Sequence, residues 1–142
     1  METIENGIDI SSAPERVFEY VSDPSNTLDY MVSMVAVRGI EGSGEGQRFE
    51  WTYKMLGVPL DGSSVVTQSV PNQLRAMKSR GGIESEWALK IAPTENGSRL
   101  DIRIDYEIPV PVLGKLAERM VVRRNERELA LSLQNIKDAC EN

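Results

Sequence analysis

The chain has 142 residues, of which 40% are hydrophobic and 27% charged, as expected for an ordinary soluble globular protein. It has no histidine and one cysteine, which excludes Ser-His-Asp and Cys-His nucleophilic sites, histidine-containing zinc sites and a disulfide within the chain. The net charge of −6 argues against nucleic acid as a partner and disfavours an anionic membrane as a standing one, because both attract Lys and Arg.

The first residues, "METIENGIDI", include acids and no basic residue, so we expect no signal peptide. No apolar run approaches the ~20 residues that a membrane-spanning helix needs. With Cys140 as the single cysteine, a reducing compartment is the expectation. We therefore predict a cytoplasmic protein without an integral membrane segment, folded as one domain over residues 1–142.

A strand and a short helix are the first predicted elements. The alternating isoleucines of "TIENGIDI" end a strand at residues 3–10. In "SSAPERVFEYVSD", Ser12 is predicted as the N-cap of a helix that has Pro14 in its first turn and that stops before Pro24.

A second short helix and then six strands are predicted next. "PSNTLDYM" favours one short helix with Leu28 and Met31 on its apolar side. From Met34 to Ile108 the hydrophobic period is two, with turn residues at short intervals, which favours antiparallel hairpins. The predicted strands are "MVAVRGI", "RFEWTYKML", "SSVVTQSV", "LRAMKSR", "IESEWALKI" and "RLDIRIDYEI", with "GVPLDG" as a turn or irregular link between the second and third of these.

The C-terminal segment from Leu113 to Cys140 is predicted as one long amphipathic helix. It contains no proline and is rich in Leu, Arg, Glu and Ala, which are strong helix formers. Apolar residues recur at helical spacing and form the predicted buried stripe, namely Val122, Leu129, Leu133, Ile136 and Cys140.

This order, with "ISSAPERVFEYVSDPSN", "GSGEGQRF", "GSRLDIRIDYEIP" and "LQNIKDACE", resembles the START-like, helix-grip (SRPBCC) superfamily, in particular its polyketide cyclase/dehydrase and lipid-transport branch. The resemblance covers nearly the whole chain. It implies an α+β fold in which a seven-stranded, curved antiparallel sheet wraps around the long C-terminal helix, with two short helices after the first strand. It also implies a cavity between sheet and helix that binds hydrophobic or amphipathic small molecules.

The candidate ligand-binding residues begin with an apolar row in "FEWTYKML", whose members alternate with polar residues. A row of this kind is the core face of a strand or the wall of a pocket, and the sequence leaves both open. Buried Trp and Tyr need polar partners, for which Gln47, Ser64, Gln68, Ser85, water or a ligand are candidates. By strand parity and helical spacing, the row and its neighbours are Phe49, Trp51, Tyr53, Met55, Trp87, Tyr106, Leu116 and Met120.

Two arginines and one methionine are further candidates. In "LRAMKSR", parity turns inward either Leu74, Ala76 and Lys78, or Arg75, Met77 and Ser79, and the sequence does not decide. In the second case Met77 lines the cavity and Arg75 faces an anionic group of the ligand. Arg124, one turn beyond Met120, is the arginine of the long helix expected nearest to a pocket.

Two glycine- or proline-rich segments are candidate functional loops. "GSGEGQ" lies between two strands and lacks the third glycine of a dinucleotide-binding loop, so it is predicted to be a hairpin turn. "VPVLGKL", residues 110–116, is either a lid over the cavity mouth or a rigid connector.

For function, the residues favour a binding or carrier protein for a hydrophobic small molecule such as a lipid, quinone or polyketide, without a cofactor or metal. The lack of histidine and of any nucleophile–base pair supports this choice. The alternative is an aromatase/cyclase or dehydratase-type enzyme that uses the same cavity, as the resemblance allows. A monomer or weak homodimer is expected.

Overall fold

The structure is a computed structural model that describes residues 1–109 and 118–142. The strands are β1 Glu2–Ile10, β2 Met34–Glu41, β3 Arg48–Met55, β4 Val58–Val70, β5 Leu74–Gly81, β6 Ser85–Thr94 and β7 Gly97–Tyr106. The helices are α1 Pro14–Val21, a 3-10 turn Pro24–Asn26, α2 Thr27–Tyr30 and α3 Glu118–Glu141.

The seven strands form one antiparallel sheet in the order β1-β7-β6-β5-β4-β3-β2. Neighbours in the sheet are mostly neighbours in sequence because short turns join them, while the chain crosses from β1 to β2 through α1 and α2. Helix α3 packs against β1 and contacts α1 and α2. The predicted α+β helix-grip fold is confirmed.

The two short helices differ in detail from the prediction. Ala13, not Ser12, is the N-cap of α1, and it makes no side-chain cap hydrogen bond. The Ser12 carbonyl instead accepts a hydrogen bond of 2.6 Å from the Ser98 hydroxyl, which ties this residue to the start of β7. In α2 the inward residues are Thr27 and Tyr30, while Leu28 is exposed, because the preceding 3-10 turn sets the phase of this single helical turn.

Strand β4 is longer than predicted because "GVPLDG" is mostly strand. Leu56 and Gly57 alone make the turn, with φ values of 51° and 79°, so that Met55 pairs with Val58. Two successive residues with positive φ are the mark of a type I′ hairpin turn. Further along, a register shift between Val66 and Gln68 turns Gln68 to solvent, so the expectation that it serves as an inward polar partner is wrong.

The buried stripe of α3 consists of Val121, Asn125, Leu129, Ser132, Leu133, Ile136 and Cys140. The predicted Val122 lies beside this stripe and is only half-buried. Although α3 has 24 residues, charged side chains interrupt it throughout, and no helix within residues 1–109 and 118–142 has the length and apolarity to cross a bilayer.

Candidate functional site

A cavity of about 110 Å³ lies between the concave face of the sheet, α2 and α3. Its wall is mostly apolar and carries a few polar side chains, which is the usual make-up of a small-molecule site. The predicted candidates that line it are Phe49, Trp51, Tyr53, Met55, Met77, Trp87 and Tyr106.

The space in the middle of the sheet comes from a row of small side chains. Ser64, Ser79 and Ser85 stand opposite one another on β4, β5 and β6 and all line the cavity. The row continues to Phe49 on one side and Tyr106 on the other. Because serine is much smaller than the Val, Ile or Leu usual in such positions, the helix and sheet leave a gap there.

Two of these serines accept the hydrogen bonds of the tryptophan indole N–H groups. The Trp51 indole Nε1 donates to Ser64 Oγ over 2.9 Å, and Ser64 Oγ shares a hydrogen bond of 2.6 Å with Ser79 Oγ. The Trp87 Nε1 donates to Ser85 Oγ over 3.2 Å. Of the proposed polar partners, Ser64 and Ser85 therefore accept the indole hydrogen bonds. Neither indole needs water or a ligand as its acceptor.

A glycine makes room for the Trp51 ring. Gly62 is the cross-strand partner of Trp51, and a Cβ at Gly62 would lie 2.3 Å from the Trp51 Cζ2 and 2.5 Å from the Arg80 carbonyl oxygen. The ring thus lies across the backbone of β4 at a point where it has no side chain. This contact sets the orientation of the aromatic wall.

A polar cluster closes the wall between β3 and α3. The Tyr53 and Ser33 hydroxyls both donate to the Glu128 carboxylate. Arg124 pairs with Glu128 over 2.9 Å and donates to Ser33 Oγ over 2.7 Å. Burial, and secondarily the Glu128 charge, raises the pKa of Tyr53 far above its ordinary value, so its hydroxyl stays protonated.

Glu128 and Ser33 were missed by the sequence reasoning. The available signal was the i, i+4 spacing of Arg124 and Glu128, which marks a helix-face ion pair. Nothing in the sequence brought Tyr53 to that pair, since the two elements meet only in the tertiary fold. Arg124 itself does not line the cavity but holds Glu128, which does.

Two further wall residues carry unsatisfied polar atoms. Tyr106 and Asn125 both line the cavity, and among the described residues neither the Tyr106 hydroxyl nor Asn125 Oδ1 has a hydrogen-bond partner. Burial raises the pKa of Tyr106, and the side-chain amide of Asn125, which approaches the phenol without hydrogen-bond geometry, partly opposes this rise, so the phenol is neutral at ordinary pH. A buried donor and a buried acceptor are thus available to a molecule inside the cavity.

Arg75 belongs to the inward set of β5 together with Met77 and Ser79, which settles the open parity. Its side chain is only 2% exposed, yet it does not line the cavity. Its Nη2 donates to Gln47 Oε1 over 2.8 Å, while its Nε has no partner among the described residues. Burial lowers the pKa of Arg75. The expectation that Arg75 faces a ligand anion in this cavity is therefore not met.

Met120 is 62% exposed and lies outside the cavity. The buried stripe of α3 runs through Val121 and Asn125, and a residue one position away points about 100° around the helix. Leu116 and the predicted lid at residues 110–116 lie outside the described residues. Within the described ranges, no group of three or more acidic or cysteine side chains is placed to hold a metal ion.

Solved structures of other proteins superpose on this chain over nearly its whole length. TTHA0849 from Thermus thermophilus superposes with a TM-score of 0.82 at 17% identity, over 98% of this chain and 97% of that one. The Zhui aromatase/cyclase from Streptomyces sp. R1128 superposes with a TM-score of 0.79 at 14% identity, over 99% and 93%. The Aha1 dimer from Colwellia psychrerythraea gives 0.68 at 18% identity, over 99% and 97%. At identities this low, the superpositions show a shared fold and nothing more.

No curated protein matches the chain in sequence. A family model, in contrast, matches residues 1–141 and so covers all but the last residue of the chain. The chain belongs to the family described as polyketide cyclase / dehydrase and lipid transport.

Proposed function

We propose that the protein binds a small, mostly apolar molecule with one hydroxyl or carbonyl group in the cavity between the sheet and α3. The observation that carries this proposal is the pair of unsatisfied polar atoms, Tyr106 Oη and Asn125 Oδ1, in an otherwise apolar wall. Buried polar groups are nearly always hydrogen-bonded, and a ligand hydroxyl or carbonyl would supply the missing partner.

The size of the cavity narrows the class of ligand. About 110 Å³ is less than the 300–1,000 Å³ of a typical small-molecule pocket and close to the roughly 150 Å³ of an engineered cavity that holds benzene. One ring or a short chain therefore fits without movement of the wall. A long acyl chain or a polycyclic molecule would require α3 or α2 to move outward.

Intrinsic fluorescence tests the proposal directly, because both tryptophans of the chain, Trp51 and Trp87, line the cavity. We expect phenol, cyclohexanol and cyclohexanone to change the emission at lower concentrations than toluene or methylcyclohexane. Tyr106→Phe and Asn125→Leu should remove that preference, whereas Tyr20→Phe, outside the wall, should keep it. No response to any of these rings, and no bound mass from a lipid, quinone and polyphenol panel in native mass spectrometry, would contradict the proposal.

A second candidate is an enzyme of the cyclase or dehydratase type. One observation favours it: the Glu128 carboxylate and the Tyr53 hydroxyl form an acid–base pair in the cavity wall. In that case Glu128→Gln and Tyr53→Phe should abolish the cyclisation or dehydration of a poly-β-carbonyl chain without unfolding the protein. If the same variants change only affinity, or if wild-type protein leaves the chain unchanged, the binding function stands and the enzyme is rejected.

A further inference from the structure

A second concave surface lies on the outside of the molecule, where the loop after α2, the β3–β4 turn and α3 meet. This outer groove encloses about 540 Å³. Besides the paired Arg124 and Glu128, four apolar side chains and two further arginines line it, and we define it by these six, Val32, Leu56, Met120, Leu131, Arg123 and Arg127.

The outer groove concentrates exposed apolar surface. Eight large apolar side chains are exposed in the described part of the chain, and four of them, between 36% and 62% exposed, lie in this groove. They come from three separate elements, so their meeting is not a consequence of local sequence. Isolated exposed apolar residues are ordinary, but a contiguous set rimmed by charge marks an interaction site.

The backbone conformation of Leu56 is a second observation that points to an interaction site at the outer groove. It occupies the first position of the β3–β4 turn with a φ of 51°, a conformation that favours Asn, Asp or Gly and is unusual for a bulky apolar residue. The turn therefore holds a leucine side chain in solvent where a polar residue would fit the backbone better. Such a choice is expected where the exposed side chain itself has a function.

The charge of the outer groove is opposite to that of the molecule. Met120, Arg123, Arg127 and Leu131 follow one another at three- and four-residue spacing along one face of α3. Neither Arg123 nor Arg127 is paired with a carboxylate in the described part of the chain. A chain of net charge −6 thus presents a local cationic, apolar surface.

We infer that the outer groove docks the protein transiently on a bilayer that contains anionic lipids. Arginines placed among apolar side chains match the boundary between phosphate headgroups and acyl chains. A second copy of the chain is a poorer occupant, because a two-fold contact would bring the arginines of both copies together. The overall negative charge makes the contact weak and short-lived, which agrees with a net charge that disfavours an anionic membrane as a standing partner.

The position of the outer groove links it to the inner cavity. Glu128 lies in the walls of both, held on one side by Tyr53 and on the other by Arg124. Docking would therefore place the polar cluster between cavity and groove against the lipid surface. A poorly water-soluble ligand would then have its source next to the wall of its binding site.

Vesicle binding without any added ligand tests this inference, and its failure would leave the cavity proposal intact. We expect co-sedimentation with phosphatidylcholine vesicles that contain phosphatidylserine, little with pure phosphatidylcholine, and weakening by salt. The double reversal Arg123→Glu with Arg127→Glu should weaken binding about tenfold or more. Met120→Ser with Leu131→Ser should also weaken binding.

Matched controls are Arg80→Glu for charge and Ile40→Ser for apolarity, since both residues are exposed and lie outside the groove. Absence of binding to the anionic vesicles would overturn the inference. So would an equal loss in Arg80→Glu, which would show an effect of net charge alone, or in Ile40→Ser, which would show an effect of exposed apolar surface outside the groove. A concentration-dependent dimer abolished by the groove variants would also overturn it and would assign the surface to a second copy.

Discussion

Ser64, Ser79 and Ser85 occupy three adjacent inward positions in the sheet, where a packed core would ordinarily carry branched apolar side chains. Their small size leaves the space, and their hydroxyls satisfy the two indoles that form its wall. Individual residues thus account both for the cavity and for the fixed positions of the two indoles in its wall. Their polar contacts are strong enough to be measured one at a time.

Ser64→Ala should lower the free energy of unfolding by about 1–3 kcal/mol, because the buried Trp51 Nε1 loses its acceptor and Ser79 Oγ loses its partner. Urea unfolding followed by circular dichroism measures this change. Ser63→Ala, exposed on the same strand, should stay within about 0.5 kcal/mol of wild type. Equal stability of the two variants would show that Trp51 does not depend on Ser64.

Gln47→Ala should cost about 2 kcal/mol, because the buried Arg75 guanidinium loses the acceptor at 2.8 Å. Gln68→Ala, an exposed glutamine on β4, is the matched control. Combining Gln47→Ala with Arg75→Met should recover part of the loss, since an apolar side chain leaves no buried charge unpaired. Additive losses in the double variant would mean that Gln47 stabilises the fold independently of Arg75. Urea unfolding of wild type, Gln47→Ala, Arg75→Met and the double variant measures the cycle.

At the scale of elements, the β3–β4 hairpin serves two surfaces. Its inward face carries Phe49, Trp51 and Met55 into the cavity, while its turn holds Leu56 in the outer groove. Helix α3 has the same double character, with Asn125 and Leu129 in the cavity and Arg127 outside. The two elements meet at Tyr53 and Glu128, so their relative position decides the shape of both surfaces.

Gly62→Ala should destabilise the hairpin by about 1–3 kcal/mol and shift Trp51 emission, because the added methyl meets both the indole ring and the backbone of β5. Gly44→Ala provides the comparison. Gly44 has a φ of 65°, and a methyl group there would meet no atom within 4 Å, so its cost reflects positive φ alone. If Gly62→Ala changed neither stability nor emission, Trp51 would not be held by this contact.

At the scale of the whole molecule, buried protonated groups make the free energy of unfolding decrease at alkaline pH. Burial raises the pKa of the Cys140 thiol and of the Tyr30 and Tyr53 phenols, so the folded state keeps protons that the unfolded chain releases. Their contribution is complete below the unfolded pKa values, about 8.5 for Cys and 10 for Tyr, and is lost as pH rises towards the folded values.

The free energy of unfolding should therefore fall from about pH 8.5 upward, first through Cys140 and then through the tyrosines. Cys140→Ala should flatten the first part of this decline, whatever its effect on stability at neutral pH. Urea titrations at a series of pH values measure the slopes. A stability that rises with pH in this range would contradict the burial of these groups.

A single domain over residues 1–142 remains a prediction, and cooperative unfolding tests it. Trp51 and Trp87 report on the sheet, whereas far-ultraviolet circular dichroism also reports on α3. For one domain, the two signals should give the same urea midpoint. Separate midpoints would divide the chain into independently unfolding parts.

Local patterns along the chain were enough to predict the element order, the antiparallel hairpins, the inward row of β3 and the superfamily resemblance. Those features follow from alternation, helical spacing and turn residues, which act over a few positions along the chain. The same patterns also placed Trp87 and Tyr106 on the inward faces of their strands. Serine partners for the indoles were among the alternatives that composition and parity allowed.

Contacts between distant parts of the chain set the remaining features of the site. Arg75 with Met77 turned inward, Gln68 turned outward after a register shift, and Met120 lay on the exposed side of α3. Glu128 met Tyr53 across 75 positions of sequence. Strand register and helix rotation are set by packing between distant elements, and a shift of one residue in either reverses which side chains face the interior.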